Sequence, residues 1–343
     1  PTVLKDMFKF DSVFSVQNVD SVAADLEFTF KTTAGDEIIY TVEDLPAYSS
    51  YLVDMGTTPA ITTPTFNGSV VVDAVQANTS TPGAIVATSM ELEIAGNNAY
   101  AFNGVPTTET SDTIYMPSAV CKFGPNNEST SAYAVQNTTD DSIDVTVTYS
   151  NGNVDGPYEV PAFSKRSFDG CQAGNPVGFL GSAIVTSDGG DIHAVGKVYG
   201  GGLYPAHLGF TGGSDTVALP LVRWTEANWF NGSRQRSYIA VQNIGSANIA
   251  AGDVVVKYYD KDGVLVGTHA LDAIEVGKKA NTHPGYLDTA ASDEFGYYGD
   301  GSTGGGAVVE GPSGSELAVV VRVQTYLGGG DSAGEDYEGI PVE

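Results

Sequence analysis

One short pattern returns three times along the chain and limits what it can fold into. It reads Val13-Phe14-Ser15-Val16-Gln17-Asn18, Ala132-Tyr133-Ala134-Val135-Gln136-Asn137 and Tyr238-Ile239-Ala240-Val241-Gln242-Asn243. A polar gap follows each copy, and then a second run: Leu26 to Phe30, Val145 to Tyr149, and Val254 to Asp260. Apolar residues fall at every second position of these runs, the period of a strand with one face buried. The chain therefore reads as a tandem array of one β unit.

A recurring proline marks the unit boundaries, at Pro1, Pro117, Pro220 and Pro341. The spacing predicts units 1–116, 117–219 and 220–343, each near the ~100 residues of a single β-sandwich. Within a unit, Asn151-Gly152 and Asp262-Gly263 sit between alternating runs and accept the positive φ of a hairpin turn. Two further apolar strands close each unit, for example Gly68 to Val72 followed by Ala84 to Thr88. The expected fold is all-β, with three tandem sandwiches. Because the fourth proline repeats the register of the first, the chain is expected to hold a whole number of units, with a tail that matches its own head. The opening at Pro1 reads as a processed leader or as part of a longer chain.

The charge is 15 basic against 42 acidic residues, a net −27. Such a surface repels phosphate backbones and anionic lipid, which disfavours nucleic-acid and membrane-surface roles. Hydrophobic residues at 41%, set in alternating runs, argue against disorder. No apolar run is long enough to span a bilayer.

The pattern of apolar strand, Gln-Asn, polar gap and Val255-Val256-Lys257-Tyr258-Tyr259-Asp260-Lys261-Asp262-Gly263 resembles the immunoglobulin- and fibronectin-III-like repeats of prokaryotic cell-surface proteins, including the cell-adhesion-related type. The resemblance covers nearly the whole chain and is clearest from Ser237 to Thr282. It implies stalk, adhesin, sheath or filament modules. Two stretches, Asn97 to Ser111 and Tyr286 to Gly304, depart from it and read as inserts.

Cys121 and Cys171 are the two cysteines, both in the middle unit. Aligned positions carry Lys5 and Trp224 for the first and Gly56 for the second, so the first unit loses both together. A bonded pair accounts for this better than two separate buried thiols, and suits a secreted protein. Asn-x-Ser/Thr sequons at Asn67, Asn78, Asn127, Asn137 and Asn231 are candidate glycosylation sites. Asn137 also belongs to the repeated Gln-Asn pair, where a side chain capping the following turn is the simpler account.

Catalytic chemistry finds little support. His193, His207, His269 and His283 are scattered, without metal-pair spacing. His193 reads as a tolerated strand residue. Gly299 to Gly304 matches Gly-x-Gly-x-x-Gly but opens no helix after a strand. No cofactor is expected, and the chain is not read as an enzyme. The weak calcium candidates are Asp260 with Asp262, more simply a hairpin turn, and Asp331 with Asp336, Glu335 and Glu338, more simply a solvated acidic loop.

The expected function is thus structural and extracellular: a subunit of a cell-surface filament, sheath or array that joins its own copies head to tail. The alternative is an adhesin segment that binds surface glycans or a host, with Trp224 to Trp229 and Phe295-Gly296-Tyr297-Tyr298 stacking on sugar rings. For Trp224 and Trp229, packing between neighbouring units is the preferred reading.

Overall fold

A computed structural model of the chain describes residues 2–124, 126, 128–226, 232–287, 294–298, 300–328 and 331–342. It is all-β, built of antiparallel sheets, with two single-turn 3-10 segments and no α-helix among the described residues.

The first eight strands are β1 (Val3–Lys5), β2 (Phe10–Asn18), β3 (Ala24–Thr32), β4 (Glu37–Leu45), β5 (Ser50–Asp54), β6 (Phe66–Gln76), β7 (Ile85–Glu93) and β8 (Ala99–Asn103). They form two four-stranded sheets, β1-β6-β3-β4 and β5-β2-β7-β8. Next come β9 (Thr113–Cys121), β10 (Thr130–Asn137), β11 (Ile143–Tyr149), β12 (Val154–Val160), β13 (Lys165–Asp169), β14 (Phe179–Ser187), β15 (Ile192–Tyr199) and β16 (Ala206–Leu208), in sheets β12-β11-β14-β9 and β13-β10-β15-β16. The last are β17 (Thr216–Leu219), β18 (Arg234–Asn243), β19 (Val255–Asp260), β20 (Leu265–Ala270), β21 (Lys279–Thr282), β22 (Gly305–Glu310), β23 (Leu317–Gly328), β24 (Asp331–Glu338) and β25 (Ile340–Pro341), in sheets β20-β19-β22-β17-β25 and β21-β18-β23-β24.

Each pair of sheets closes on its own apolar cluster, the arrangement of a β-sandwich. Phe14, Val16, Phe28 and Phe30 centre the first, Tyr133, Val135, Val147 and Tyr149 the second, and Ile239, Val241, Val256 and Tyr258 the third. The period-two pattern is seen directly in β2, where inward Phe10, Ser12, Phe14 and Val16 are buried and Asp11, Val13 and Ser15 are not. β9 runs across Met116-Pro117 and pairs along β14, while β17 precedes Pro220 and pairs with β22.

The repeated asparagine is a structural plug. Asn18, Asn137 and Asn243 each donate through Nδ2 to carbonyls in the turn that follows and to one further along the chain, at Leu45, Val160 or Ile274, as Asn137 does to Asp141 at 2.7 Å, Val160 at 3.1 Å and Pro161 at 3.1 Å. Oδ1 accepts the amide two residues on. Asn137 is fully buried, so the sequon there is closed to a glycan and is corrected to a turn cap. Asn67 lies half-buried in β6 and Asn78 is exposed in a turn; Asn127 and Asn231 fall outside the described residues. Cys121 and Cys171 are bonded, with Cα atoms 5.0 Å apart.

Candidate functional site

The features that set this chain apart from a string of independent sandwiches lie where one sheet pair meets the next. β10 and β18 are buried on both faces over most of their length, whereas β2 alternates. The reason is that the outer face of β10 packs on the first sheet pair and that of β18 on the second.

Equivalent residues make both contacts. At the first seam, Ser69 Oγ donates to the Phe163 carbonyl at 2.6 Å, and Gln136 Nε2 donates to the same oxygen at 3.2 Å. At the second, Ser182 Oγ donates to the Gly277 carbonyl at 2.8 Å, and Gln242 Nε2 donates to it at 3.0 Å. Ser69 and Ser182 hold matching places on β6 and β14, and Gln136 and Gln242 on β10 and β18. Cations recur as well. Lys197 Nζ pairs with buried Glu91 at 2.5 Å, and Arg322, its counterpart on β23, reaches Ser118 Oγ at 3.3 Å.

The edge strands β8, β16 and β24 meet along this line and enclose a cavity of about 200 Å³, lined by Phe102, His207, Asp336 and Glu338 among others. Arg322 grips Asp336 through two bonds, Nε to Oδ1 at 2.9 Å and Nη2 to Oδ2 at 2.8 Å. His207 of β16 faces the same carboxylate with Nδ1 3.3 Å from Oδ2. Glu338 accepts the Leu208 amide at 2.6 Å. Burial alone raises the pKa of a carboxyl, but the Arg322 charge and bonds, with His207, outweigh it and hold Asp336 at about 2. A carboxylate satisfied by a guanidinium is not a calcium ligand in waiting, so Asp336 is corrected from a loop residue to a buried ion-pair member on a strand. Asp331 opens β24.

Lys165 is a further buried basic group at the first seam, and Lys279, opposite Gln242 as Lys165 is opposite Gln136, is its counterpart at the second, with its pKa likewise lowered by burial to about 7. Lys165 Nζ donates to Thr2 Oγ1 at 3.1 Å, and burial, with Lys197 nearby and Glu91 only partly offsetting it, lowers its pKa to about 7. The unfolded lysine titrates near ~10.4. Between these values the unfolded chain binds the extra proton, so stability rises with pH across that window. Chemical denaturation at pH 7, 8 and 9 is expected to show this rise, and Lys165→Met to make it shallower, with the part due to Lys279 remaining; an unchanged slope in the variant would exclude the assignment.

The other sequence candidates separate. Asp260 Oδ1 accepts the amides of Asp262 and Val264 at 2.9 Å each, the bonds of a hairpin turn, and Asp262 pairs with Lys261. His193 is buried in β15 and burial lowers its pKa to about 3, so it stays neutral. It borders a second cavity of about 260 Å³ beside Glu109, Phe210 and Glu338. His269 and His283, two of the four histidines that read as scattered, are drawn into one column. Arg236 lies 3.9 Å over Trp224, Trp224 stacks on His283 at 4.1 Å, His283 on Tyr286 at 4.0 Å, and Tyr286 on His269 at 4.8 Å. All belong to the third sheet pair, which corrects the expectation that Trp224 packs between units. Both faces of Trp224 are covered and Phe295 is buried in the core, so neither ring offers a sugar platform. Trp229 and Gly299 fall outside the described residues.

Sequence reasoning missed β8, β16 and β24. The sequence places Ala99 to Asn103 in an insert and Asp331 to Glu338 in a loop, yet both are edge strands that carry the junction. The fold and junction together define an all-β protein of stacked antiparallel sheets, with one disulfide and no helix among the described residues long and apolar enough to cross a membrane. No family model matches the chain, and no curated protein matches its sequence.

Proposed function

We propose that this protein is an extracellular structural subunit, three immunoglobulin-like sandwiches in a row, whose copies join head to tail into a cell-surface filament, sheath or array. One observation carries the reading: the same seam is made twice within the chain, and the face that would make it a third time is bare. Val86 of the first sheet pair is 54% exposed, while its counterparts His193 and Ala318 are 3% and 0% exposed. Tyr48, in the place of Phe163 and Gly277, is 64% exposed, and Met90, in the place of Lys197 and Arg322, is 43% exposed. An exposed apolar patch of this kind on an acidic chain favours a protein partner. A heterologous contact that repeats without closing generates an open assembly. The disulfide and the absence of free cysteine suit an oxidising, extracellular setting.

Electron microscopy and sedimentation across a concentration series test this. Wild-type chain is expected to form linear assemblies that lengthen with concentration, and Val86→Glu/Met90→Glu to stay monomeric with its fold intact. Monodisperse particles of one chain at every concentration would overturn the reading.

A further inference from the structure

Both seams hold more basic groups than carboxylates. At the first, Lys197 of β15 takes Glu91 of β7 at 2.5 Å and lies against the Tyr100 and Phe102 rings. Lys165 of β13 is left with hydroxyls, Thr2 Oγ1 at 3.1 Å and Ser167 Oγ at 3.4 Å. At the second, Lys279 of β21 faces Arg322 of β23 and Asp336 of β24. Both oxygens of Asp336 are already taken by Arg322. The two lysines hold the same place, each opposite the glutamine that bonds across its seam.

The other titratable groups facing them do not offset the surplus. His193, opposite Gln136 on β15, is held neutral by burial. His207 approaches Asp336 from the second sheet pair and brings no negative charge. A protonated Lys165 or Lys279 therefore places a second cation against a single carboxylate that is itself buried. An uncharged amine avoids that cost.

We propose that Lys165 and Lys279 make the row of sheet pairs a hinged one, whose seams open when these amines are protonated and close when they lose the proton, while each sandwich stays folded. Three observations place the movement at the seams. Leu4, Phe10, Tyr100, Phe102, Val195 and Ala206 of the first seam form a cluster apart from those that fill the sandwiches, so the seam parts without opening a core. The stretches that connect one pair to the next, residues 104–112 and 209–215, hold no strand among the described residues. Each lysine also lies on an edge strand, β13 or β21, from which a charged Nζ reaches water once the neighbouring pair withdraws.

The direction follows from where the proton is held. With its seam closed each lysine titrates at about 7, and in water at the ordinary ~10.4. Between these values the open form binds one more proton at each seam, so opening gains about tenfold for each pH unit lowered. Closure is strongest above the window. Below about 7 the closed form carries the proton too, and the dependence on these lysines levels off.

The test reads each seam with a single thiol, since the chain has no free cysteine. Ala134 lies beside Val195 on the seam face of β10, and Ala240 holds the same place on β18; both are buried. Ala134→Cys and Ala240→Cys report the two seams, and Val147→Cys, in the second core, reports the sandwich. Thiol alkylation is followed on dilute single chains, so the outcome stands whether or not copies assemble. Rates divided by the thiolate fraction are expected to rise about tenfold from pH 9 to pH 8 at both seam positions and to stay level at the core position. Lys165→Met is expected to abolish the rise at Ala134→Cys and spare that at Ala240→Cys, and Lys279→Met to do the reverse. Level rates at the seams, an equal rise in the core thiol, or a rise that survives replacement of its own lysine would overturn the hinge.

Discussion

Asp336→Ala is expected to destabilise the protein by about 3–5 kcal/mol, the range for removing one member of a buried ion pair. The size follows from what is left behind. The Asp336 side chain is fully buried and that of Arg322 is 16% exposed, so the variant leaves a mostly buried guanidinium without its carboxylate. His207, itself buried, loses the same partner. Replacing both ends, as in Asp336→Leu/Arg322→Met, is expected to recover most of the loss, because apolar groups of similar volume carry no desolvation cost. Denaturant unfolding of the single and double variants measures the difference; a single variant within 1 kcal/mol of wild type, a threshold set by the ~1 kcal/mol effect of an average substitution, would show that the pair is not held together in solution. The pH dependence has a definite sign. Asp336 titrates at about 2 in the folded protein and near ~3.9 when unfolded. Its contribution is complete above the unfolded value and is lost as pH falls from about 4 to about 2.

Much of the architecture was legible because local and global preferences agree. Phe28 and Phe30 alternate with Glu27 and Thr29, and that alternation is the burial pattern of β3. The Gln-Asn pair was legible as a strand end followed by a turn. What the sequence concealed was the second duty of the glutamine: Gln136 and Gln242 bind across the seams, whereas Gln17, with the same neighbours, is exposed and reaches only the Tyr48 carbonyl. β24 escaped notice because Asp331-Ser332-Ala333-Gly334-Glu335-Asp336-Tyr337-Glu338 has almost no strand propensity. It is a strand because β23 offers it a long ladder and Arg322 neutralises Asp336, both non-local facts. The histidines escaped for a related reason. His269 and His283 lie in and beside strands of different sheets and meet only across Tyr286.

Removing the Cys121–Cys171 bond is expected to cost about 4 kcal/mol, from the loop-closure entropy of the ~50 residues it encloses. The loop it closes holds four of the eight strands of the second sheet pair, β10 to β13, and the outer face of β10 and β13 carries both Gln136 and Lys165. Breaking it therefore loosens the central pair, the one that touches both neighbours. A Cys121→Ser/Cys171→Ser variant should unfold at lower denaturant than wild type, and reduction of the wild type should reproduce the shift. The seams sharpen the expectation. Amides on the second pair's side of each seam, such as that of Leu208 bonded to Glu338, should exchange faster, while those deep in the first and third cores, such as Phe28 and Val256, should change less. Uniform acceleration would mean that the three sheet pairs unfold as one cooperative body. Acceleration confined to the middle would mean that the seams transmit less stability than the cores, and that the bond reinforces the segment bearing load from both sides of an assembly.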